Sequence, residues 1–207
     1  MKVLVYGSGV ICCYLAHILC AAGNDVTLLA RGQWKEQLQQ NGLIADLFGK
    51  TGYKLHWQSD MEAYLICHLA AVLPICYVAY ACNGDLTTST GEQRKLMRMA
   101  SWEAYAMLKA QSIPILPEGD EQYYAPGIKG AVMRFLYFGM ARWKTAGDLI
   151  ACEHCRNAFE EMEMLDVDFE KVLAHKPEFP MPNWRALKAQ MPGWDTIRKQ
   201  YAKGSKK

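Results

Sequence analysis

The sequence has little net charge, no internal repeat and no low-complexity segment. Its 23 basic residues nearly balance its 21 acidic ones, which leaves a formal net charge of +2 over 207 residues. This balance gives no electrostatic case for a nucleic-acid partner, and we predict none. The basic run from Lys199 to Lys207 is typical of a solvated tail. Hydrophobic residues make up 51% of the chain, which is enough for a globular protein with a sizeable core.

The sequence contains the adjacent Cys12-Cys13 but lacks a second Cys-x-x-Cys pair. Cys152 and Cys155 have the spacing of a metal-binding pair, but a structural zinc ion needs four ligands, so we predict no metal site. The 8 cysteines lie mostly in apolar stretches, whereas a disulfide framework occupies loop-rich sequence. We interpret them as reduced, mostly buried thiols of a cytoplasmic protein.

Two apolar runs have some features of targeting or membrane segments. The run from Lys2 to Gly23 imitates a signal peptide, but Gly7-Ser8-Gly9 interrupts it. The run from Ala63 to Cys82 has the length of a membrane span, yet it contains His68 and Pro74 and lacks flanking lysine or arginine. A helix buried on all sides in a protein core fits it better, and we expect no membrane partner.

The N-terminal residues predict a strand-helix-strand-helix unit. Lys2–Tyr6 and Asp25–Leu29 are β-rich apolar runs, and Val10–Ala22 between them has a helical pattern that stops at Gly23-Asn24. Gln33–Gln40 then has the pattern of a polar helix. This order is the signature of a βαβ unit.

From Met61 onward the pattern is helical almost throughout. We predict a short strand at 53–57 and helices near 61–82, 90–111, 127–145, 147–175 and 183–202. The predicted fold class is α/β, with a truncated Rossmann-like N-terminal unit followed by an all-helical C-terminal domain. The predicted domains are residues 1–58 and residues 59–207.

The first strand leads into Gly7-Ser8-Gly9-Val10-Ile11-Cys12, which matches a dinucleotide fingerprint except at its third glycine. The first glycine allows a tight turn, the second lets the backbone approach a pyrophosphate, and the helix N-terminus offers free N–H groups. Cys12 is larger than glycine and weakens the contact between helix and strand. A purely structural turn is the alternative interpretation.

The end of the second strand lacks the acidic residue that would hold the ribose hydroxyl of NAD. Ala30-Arg31-Gly32 stands there instead, and a guanidinium pairs well with a 2′-phosphate. We therefore predict NADP(H), with a surface arginine as the alternative. The predicted cofactor-binding residues are Gly7, Ser8, Gly9, Val10, Ile11 and Arg31.

Several stretches carry a resemblance to the ketopantoate reductase (2-dehydropantoate 2-reductase) family. They are Met1 to Ile11, Leu28 to Gly32, Asn41 to Leu43, Met61 to Ile75, Glu153 to Ala158, and Glu161-Met162. The resemblance implies an NADPH-dependent oxidoreductase that reduces ketopantoate, a small 2-keto acid, to pantoate in pantothenate biosynthesis. Hydride passes from nicotinamide to the keto carbon in this family.

The resemblance also implies two catalytic positions. The general-acid lysine of the family falls on His68, and its substrate-holding glutamate falls nearest to Glu161. A protonated histidine can donate a proton to a developing alkoxide, although burial in an apolar helix disfavours its charged form. The alternatives are a hydrogen-bonded core histidine and a solvent-facing glutamate. The family's asparagines are not seen, since Val72 and Cys76 stand in their places.

The N-terminal unit is short for a doubly wound domain, which needs two halves. We interpret the chain as an internally deleted family member whose small sheet would leave an open edge, and a homodimer is one way to cover it. The alternative function is a catalytically inactive chain that acts as a helical dimerisation or nucleotide-binding module.

Overall fold

A computed structural model describes residues 2–6, 15, 19, 22–29 and 60–202 of the chain. The chain divides into two compact units, Met1–Trp57 and Gln58–Lys207. It is mostly helical, with a small parallel sheet at the N-terminus. The predicted helix at 33–40 and the predicted strand at 53–57 lie outside the described residues.

The N-terminal unit contains two parallel strands, β1 (Lys2–Tyr6) and β2 (Asp25–Leu29), which have the predicted bounds. They pair in register along their whole length, so that Tyr6 lies opposite Leu29 at the carboxyl end. Val3 and Val5 of β1 are buried, as expected for alternate positions on one face of a strand.

A helical segment precedes β2. Leu15 and Leu19 are helical, and both the backbone amide and the side-chain amide of Asn24 donate to the Leu19 carbonyl, at 3.2 and 3.0 Å. Gly23 has a φ of +79°, a left-handed conformation that glycine adopts without strain after a helix. These contacts explain why Gly23-Asn24 ends the helix where the sequence predicts a stop.

The second unit is all helical between residues 60 and 202. Its α-helices are α1 (Met61–Ala81), α2 (Gly91–Ala110), α3 (Ile128–Arg142), α4 (Lys144–Gly147), α5 (Glu153–Asn157), α6 (Phe159–Leu173), α7 (Pro182–Lys188) and α8 (Trp194–Tyr201). Two 3₁₀ turns, Leu86–Thr88 and Asp120–Tyr123, and one π-helical turn, Asp148–Cys152, lie between them.

The starts of α1 and α2 are fixed by local capping. The Asp60 carboxylate accepts a hydrogen bond of 2.9 Å from the Ala63 amide at the start of α1. At α2, Thr90 and Gln93 form a reciprocal capping box. Both helices lie within one residue of their predicted bounds because such caps are local sequence signals.

The predicted helix at 147–175 is wrong as a single element. A π-helical turn occupies Asp148–Cys152, and Ala158 leaves the helical region with φ −125° and ψ 37° before α6 begins. A Cβ added at Gly147 would lie 2.8 Å from the Met140 carbonyl oxygen, so the segment packs backbone against backbone at its start. Tertiary contacts of this kind leave no periodic pattern in the sequence, so the interruption of the helix was not predicted.

Two other predicted helices are also divided. The predicted helix at 127–145 ends at Arg142, because Trp143 is extended with φ −121° and ψ 110°. The predicted helix at 183–202 consists of α7 and α8, separated at Met191-Pro192-Gly193. Proline removes a helical hydrogen bond and disfavours helical backbone in the residue before it.

Helix α1 is the central helix of this unit and packs on α2, α6 and α7. Its buried residues are Ala63, Cys67, Ala70, Leu73, Pro74, Cys76, Tyr77, Val78, Ala79 and Tyr80. Among the described residues it is the one helix long and apolar enough to cross a membrane, and just over half of its most apolar window is buried inside the protein. A core helix passes the same test, so the finding is weak evidence for a membrane span.

Candidate functional site

The predicted cofactor-binding residues Gly7, Ser8, Gly9, Val10, Ile11 and Arg31 lie outside the described residues. What the structure does describe is the pair of strands that precede them. Gly7 follows β1 directly, and Arg31 comes two positions after β2. Because the strands are parallel and in register, their carboxyl ends lie at one edge of the sheet, which is the edge where dinucleotides bind in such folds.

In the helical unit, a cavity of about 330 Å³ lies beside His68. Its walls come from α1, from the segment that includes Leu116 and Asp120, and from α3, with Ile150 at one side. Most of the lining is apolar, with a few polar groups. Small-molecule sites commonly have this composition.

One face of α1 forms the first wall. Tyr64, His68, Ala71, Val72 and Ile75 all line the cavity, and their spacing of three or four residues places them on the same side of a helix. His68 is exposed at this surface, so the interpretation of His68 as a core histidine is wrong. Its imidazole is therefore accessible to a small molecule in the cavity.

The electrostatic environment of His68 has two opposing parts. Removal of water by the surrounding atoms lowers the pKa of the imidazole, and the nearby Asp120 carboxylate raises it by a smaller amount. The net effect is a pKa below the ordinary value of 6.5, so the neutral imidazole predominates at neutral pH. A neutral imidazole still carries one N–H that can donate to a carbonyl oxygen.

Asp120 is held in position by its neighbours. The Tyr105 hydroxyl on α2 donates a hydrogen bond to its carboxylate, and burial together with this bond raises the pKa of Tyr105 far above its ordinary value. The Tyr105 ring stacks on Tyr124, another lining residue, at 5.3 Å between centroids. The Asp120 carboxylate is therefore held by a hydrogen bond from Tyr105 of α2.

Cys67 attaches the same loop to α1. Its Sγ lies 3.6 Å from the Pro114 carbonyl and accepts a contact of 3.4 Å from the Leu116 amide. Burial raises the pKa of this thiol, which keeps it protonated. Since Cys67 precedes His68 directly, these contacts fix the loop that brings Asp120 to the cavity.

On the α3 wall, Tyr137 is buried and its hydroxyl lacks a hydrogen-bond partner among the described residues. Ser101 is close enough to affect its pKa, but the Ser101 hydroxyl donates to the Met97 carbonyl at 3.2 Å. Burial is the main cause that raises the pKa of Tyr137 well above its usual range. The hydroxyl is covered by protein atoms, so it contributes packing to this wall.

Glu161 lies elsewhere. It is exposed on α6, and its Oε2 is 3.8 Å from Nε2 of His154. The next residue, Met162, has its sulfur 3.5 Å from the sulfur of Cys76, eight residues after His68 on α1. Eight residues of helix span about 12 Å, so the structure does not bring His68 and Glu161 into one site. The roles assigned to these two residues remain predictions.

The sequence analysis missed Asp120 and the tyrosines around it. The signal available was modest: Asp120 stands in the acidic run Glu118-Gly119-Asp120-Glu121 that follows Pro117. Nothing in that run indicates which helix it approaches. Only the fold places its carboxylate near the imidazole of His68.

Within residues 2–6, 22–29 and 60–202, the structure shows no group of three histidine, cysteine or acidic side chains that could hold a metal ion. Cys152 and Cys155 are buried and free, as are Cys67, Cys76 and Cys82. A hydrogen bond with Cys76 and burial raise the pKa of the Cys155 thiol well above its ordinary value, which disfavours the thiolate that metals require.

A comparison with protein families matches residues 3–63 to ketopantoate reductase PanE/ApbA. The matched stretch contains β1, β2 and the predicted dinucleotide fingerprint, and it ends at the third residue of α1. Nearly all of the helical unit, including His68 and its cavity, lies beyond the match. No curated protein and no solved structure matches the chain.

Proposed function

We propose that this chain is an NADPH-dependent oxidoreductase of the ketopantoate reductase type that reduces 2-dehydropantoate, or a related small 2-keto acid, to the 2-hydroxy acid. The observation that carries the proposal is the similarity of residues 3–63 to ketopantoate reductase PanE/ApbA. The parallel pairing of β1 and β2 supports it, since their carboxyl ends share the edge from which Gly7 and Arg31 continue.

In this proposal the N-terminal unit holds the cofactor. The backbone of Gly7-Ser8-Gly9-Val10-Ile11 binds the pyrophosphate, and the Arg31 guanidinium pairs with the 2′-phosphate. Bound NADPH supplies the hydride for reduction of the keto carbon. The chain's own residues then have two tasks, which are to orient the carbonyl and to provide a proton for its oxygen.

His68 is the proposed proton donor. Its imidazole lies on the cavity wall formed by α1, where it can donate to the oxygen of a bound carbonyl compound. Asp120 partly offsets the effect of burial on the pKa of His68 and so stabilises the protonated form. Because the pKa is lowered overall, turnover should decrease as the pH rises through and above it, where less imidazolium is present.

The first experiment measures cofactor binding through NADPH and NADH fluorescence. We expect saturable binding with a preference for NADPH. Arg31→Ala should weaken NADPH binding by roughly 10- to 100-fold, the usual value of a lost charge-assisted hydrogen-bond pair, and should leave NADH binding nearly unchanged. Lys35→Ala is the matched control, because it removes a cation of the same unit that has no predicted cofactor contact. An equal loss of affinity for NADPH and NADH in Arg31→Ala would contradict the role of Arg31 in binding the 2′-phosphate.

The second experiment measures turnover, followed by the disappearance of NADPH with 2-dehydropantoate as substrate. His68→Gln should abolish most turnover while NADPH binding remains. Glu161→Gln tests the remaining predicted site residue, and unchanged kinetics would show that this exposed glutamate has no catalytic part.

A non-catalytic nucleotide-binding or helical dimerisation module is the second candidate function. The observation that favours it is the short extent of the family match, which covers residues 3–63 and does not include His68 or its cavity. NADPH binding with no turnover of any 2-keto acid would support this candidate. Turnover that depends on His68 would exclude it.

A further inference from the structure

Helix α3 presents an apolar surface to solvent. Ile128, Phe135 and Phe138 are 88%, 69% and 52% exposed, and Val132 and Leu136 are exposed as well. These five residues, together with the exposed Trp143 directly after the helix, form what we call the α3 face. Monomeric proteins rarely expose contiguous apolar surface of this kind unless it binds something.

The opposite side of α3 is buried against the core of the helical unit. Gly130, Tyr137 and Met140 are buried, and their spacing of seven and three residues sets them on one side of the helix. Gly139, the fourth buried residue, lies on the side of Ile128, next to the Trp143 ring. Ile128, Val132 and Phe135 follow a second series of four and three, which is rotated away from the first. The exposed apolar side chains on the side of α3 away from the core therefore form a surface that a partner can cover.

Cations border the α3 face, and acids are missing from it. The sequence contains no aspartate or glutamate between Glu121 and Asp148. Lys129 lies seven residues before Leu136 on one edge, while Arg134 and Arg142 lie four residues to either side of Phe138 on the other. Burial and the nearby Arg134 guanidinium lower the pKa of Arg98, a further sign that positive charge accumulates beside α3.

The positive charges around the α3 face restrict which partner can cover it. Two copies packed through α3 would bring together the three cations of each, with no carboxylate from either segment to compensate them. Residues 1–57 carry five basic and three acidic residues, so the N-terminal unit is not complementary in charge either. The occupant that fits is therefore anionic, with an apolar layer for the exposed side chains.

We propose that the α3 face docks peripherally on an anionic phospholipid bilayer. Phenylalanine, tryptophan and branched aliphatic side chains enter the boundary between headgroups and acyl chains, while lysine and arginine at the edges contact lipid phosphates. We favour a lipid surface over an acidic protein, because exposed aromatic side chains with flanking cations match an acyl layer that lies directly beneath anionic headgroups. This proposal does not rest on the proposed oxidoreductase activity, although Leu136 belongs both to the α3 face and to the wall of the cavity beside His68.

The test is co-sedimentation of the full chain with vesicles of phosphatidylcholine alone or with added phosphatidylserine, at low and high salt. Binding should require phosphatidylserine and should weaken as salt increases. The triple variant Lys129→Gln, Arg134→Gln, Arg142→Gln should lower the partition coefficient by on the order of 100-fold. Ile128→Ser with Phe135→Ser should also abolish binding.

Met164→Ser is the matched control, because Met164 is an equally exposed large apolar residue on α6 and should not affect vesicle binding. All substituted positions are exposed, and thermal unfolding followed by circular dichroism confirms that each variant is folded. Equal binding to neutral vesicles, or no vesicle binding by the folded protein, would overturn the proposal. So would a dimer in sedimentation equilibrium that Ile128→Ser with Phe135→Ser dissociates, since a second copy would then cover the face.

Discussion

The two halves of α1 have similar apolar composition and entirely different surroundings. From Leu73 to Tyr80 every residue except Ile75 is buried, whereas before Leu73 only Ala63, Cys67 and Ala70 are buried. The first half contributes Tyr64 and His68 to a cavity, and the second half is enclosed by other helices. One helix thus supplies both an accessible site and the centre of a core.

The second half also takes part in a buried polar network. The Tyr77 hydroxyl donates to Asp166 at 2.5 Å, and the Trp194 indole N–H donates to the other oxygen of the same carboxylate at 2.9 Å. Lys188 lies 2.7 Å from Asp166 and 2.6 Å from Glu170. Burial, followed by the Asp166 charge, raises the pKa of Tyr77 well above its usual range.

This difference predicts that stability and the proposed function depend on different halves of α1. Near Tyr77, every polar group of the network has a partner, as buried polar groups require. Near His68, the imidazole is exposed and faces open volume. We therefore expect substitutions around Tyr77 to unfold the protein, and substitutions at His68 to alter chemistry with little effect on folding.

The largest expected effect comes from Asp166→Ala. It removes the acceptor of Tyr77 and Trp194 and leaves Lys188 with Glu170 alone, so unfolding free energy should fall by about 3 kcal/mol or more. Chemical denaturation measures the loss. Asp168→Ala, two residues away and exposed, should cost no more than about 0.5 kcal/mol. Similar losses in both variants would show that the network does not stabilise the core.

The second prediction concerns the start of α3, the helix whose later residues line the cavity. A Cβ added at Gly130 would collide with the Ala125 carbonyl oxygen, which belongs to the chain before the helix. Gly130→Ala should therefore destabilise the protein by roughly 1–3 kcal/mol, the usual cost of overpacking. Gly193→Ala is the control, since an added Cβ there meets nothing within 4 Å. Equal thermal stability of the two variants would place Gly130 outside a tight contact.

The smallest effect is the pH dependence contributed by His68. In the folded protein the pKa of His68 lies below 6.5, mainly because neighbouring atoms remove water from part of the imidazole, so the unfolded chain binds the proton more tightly. Stability then rises with pH between the two pKa values, and the unfavourable contribution is complete below the folded one. His68→Gln should gain stability relative to the parent as the pH falls from about 7 to about 5. The gain should be at most about 0.5 kcal/mol, because solvent screens an exposed group.

Unfolding midpoints across this pH range measure the effect, with His175→Gln at an exposed turn as the control. A loss of more than about 1 kcal/mol at pH 7 for His68→Gln would instead make His68 a structural residue and remove the contrast between the two halves of α1.

Local signals made part of this fold predictable. β1 and β2 have their predicted bounds, because alternating β-rich residues and a Gly-Asn stop act over a few positions. The bounds of α1 and α2 agree with their prediction to within one residue, and the structure shows local caps at the starts of both helices. The interruptions at Trp143 and Ala158 carry no proline or glycine at the break itself, so the sequence predicted continuous helices there.

The apolar face of α3 was missed for a related reason. The long apolar run that has the length of a membrane span lies in α1, and the fold buries just over half of its most apolar window. Lys129 and Arg134 interrupt the apolar pattern of α3, so the sequence predicted a helix there without indicating an exposed apolar face. The exposure of Ile128 and Phe135 depends on which side of α3 its neighbours cover.

The sequence by itself determined the N-terminal strands, the position of the glycine fingerprint after β1 and the extent of α1. It did not determine which side of α1 faces the cavity, because a helix that is apolar all round has no amphipathic direction. Tertiary packing decided that side, exposed His68, brought Asp120 near it and left Glu161 on another surface. The physical reason is that contacts distant in sequence leave no period in it, and the burial of a side chain depends on the neighbours that the whole fold supplies.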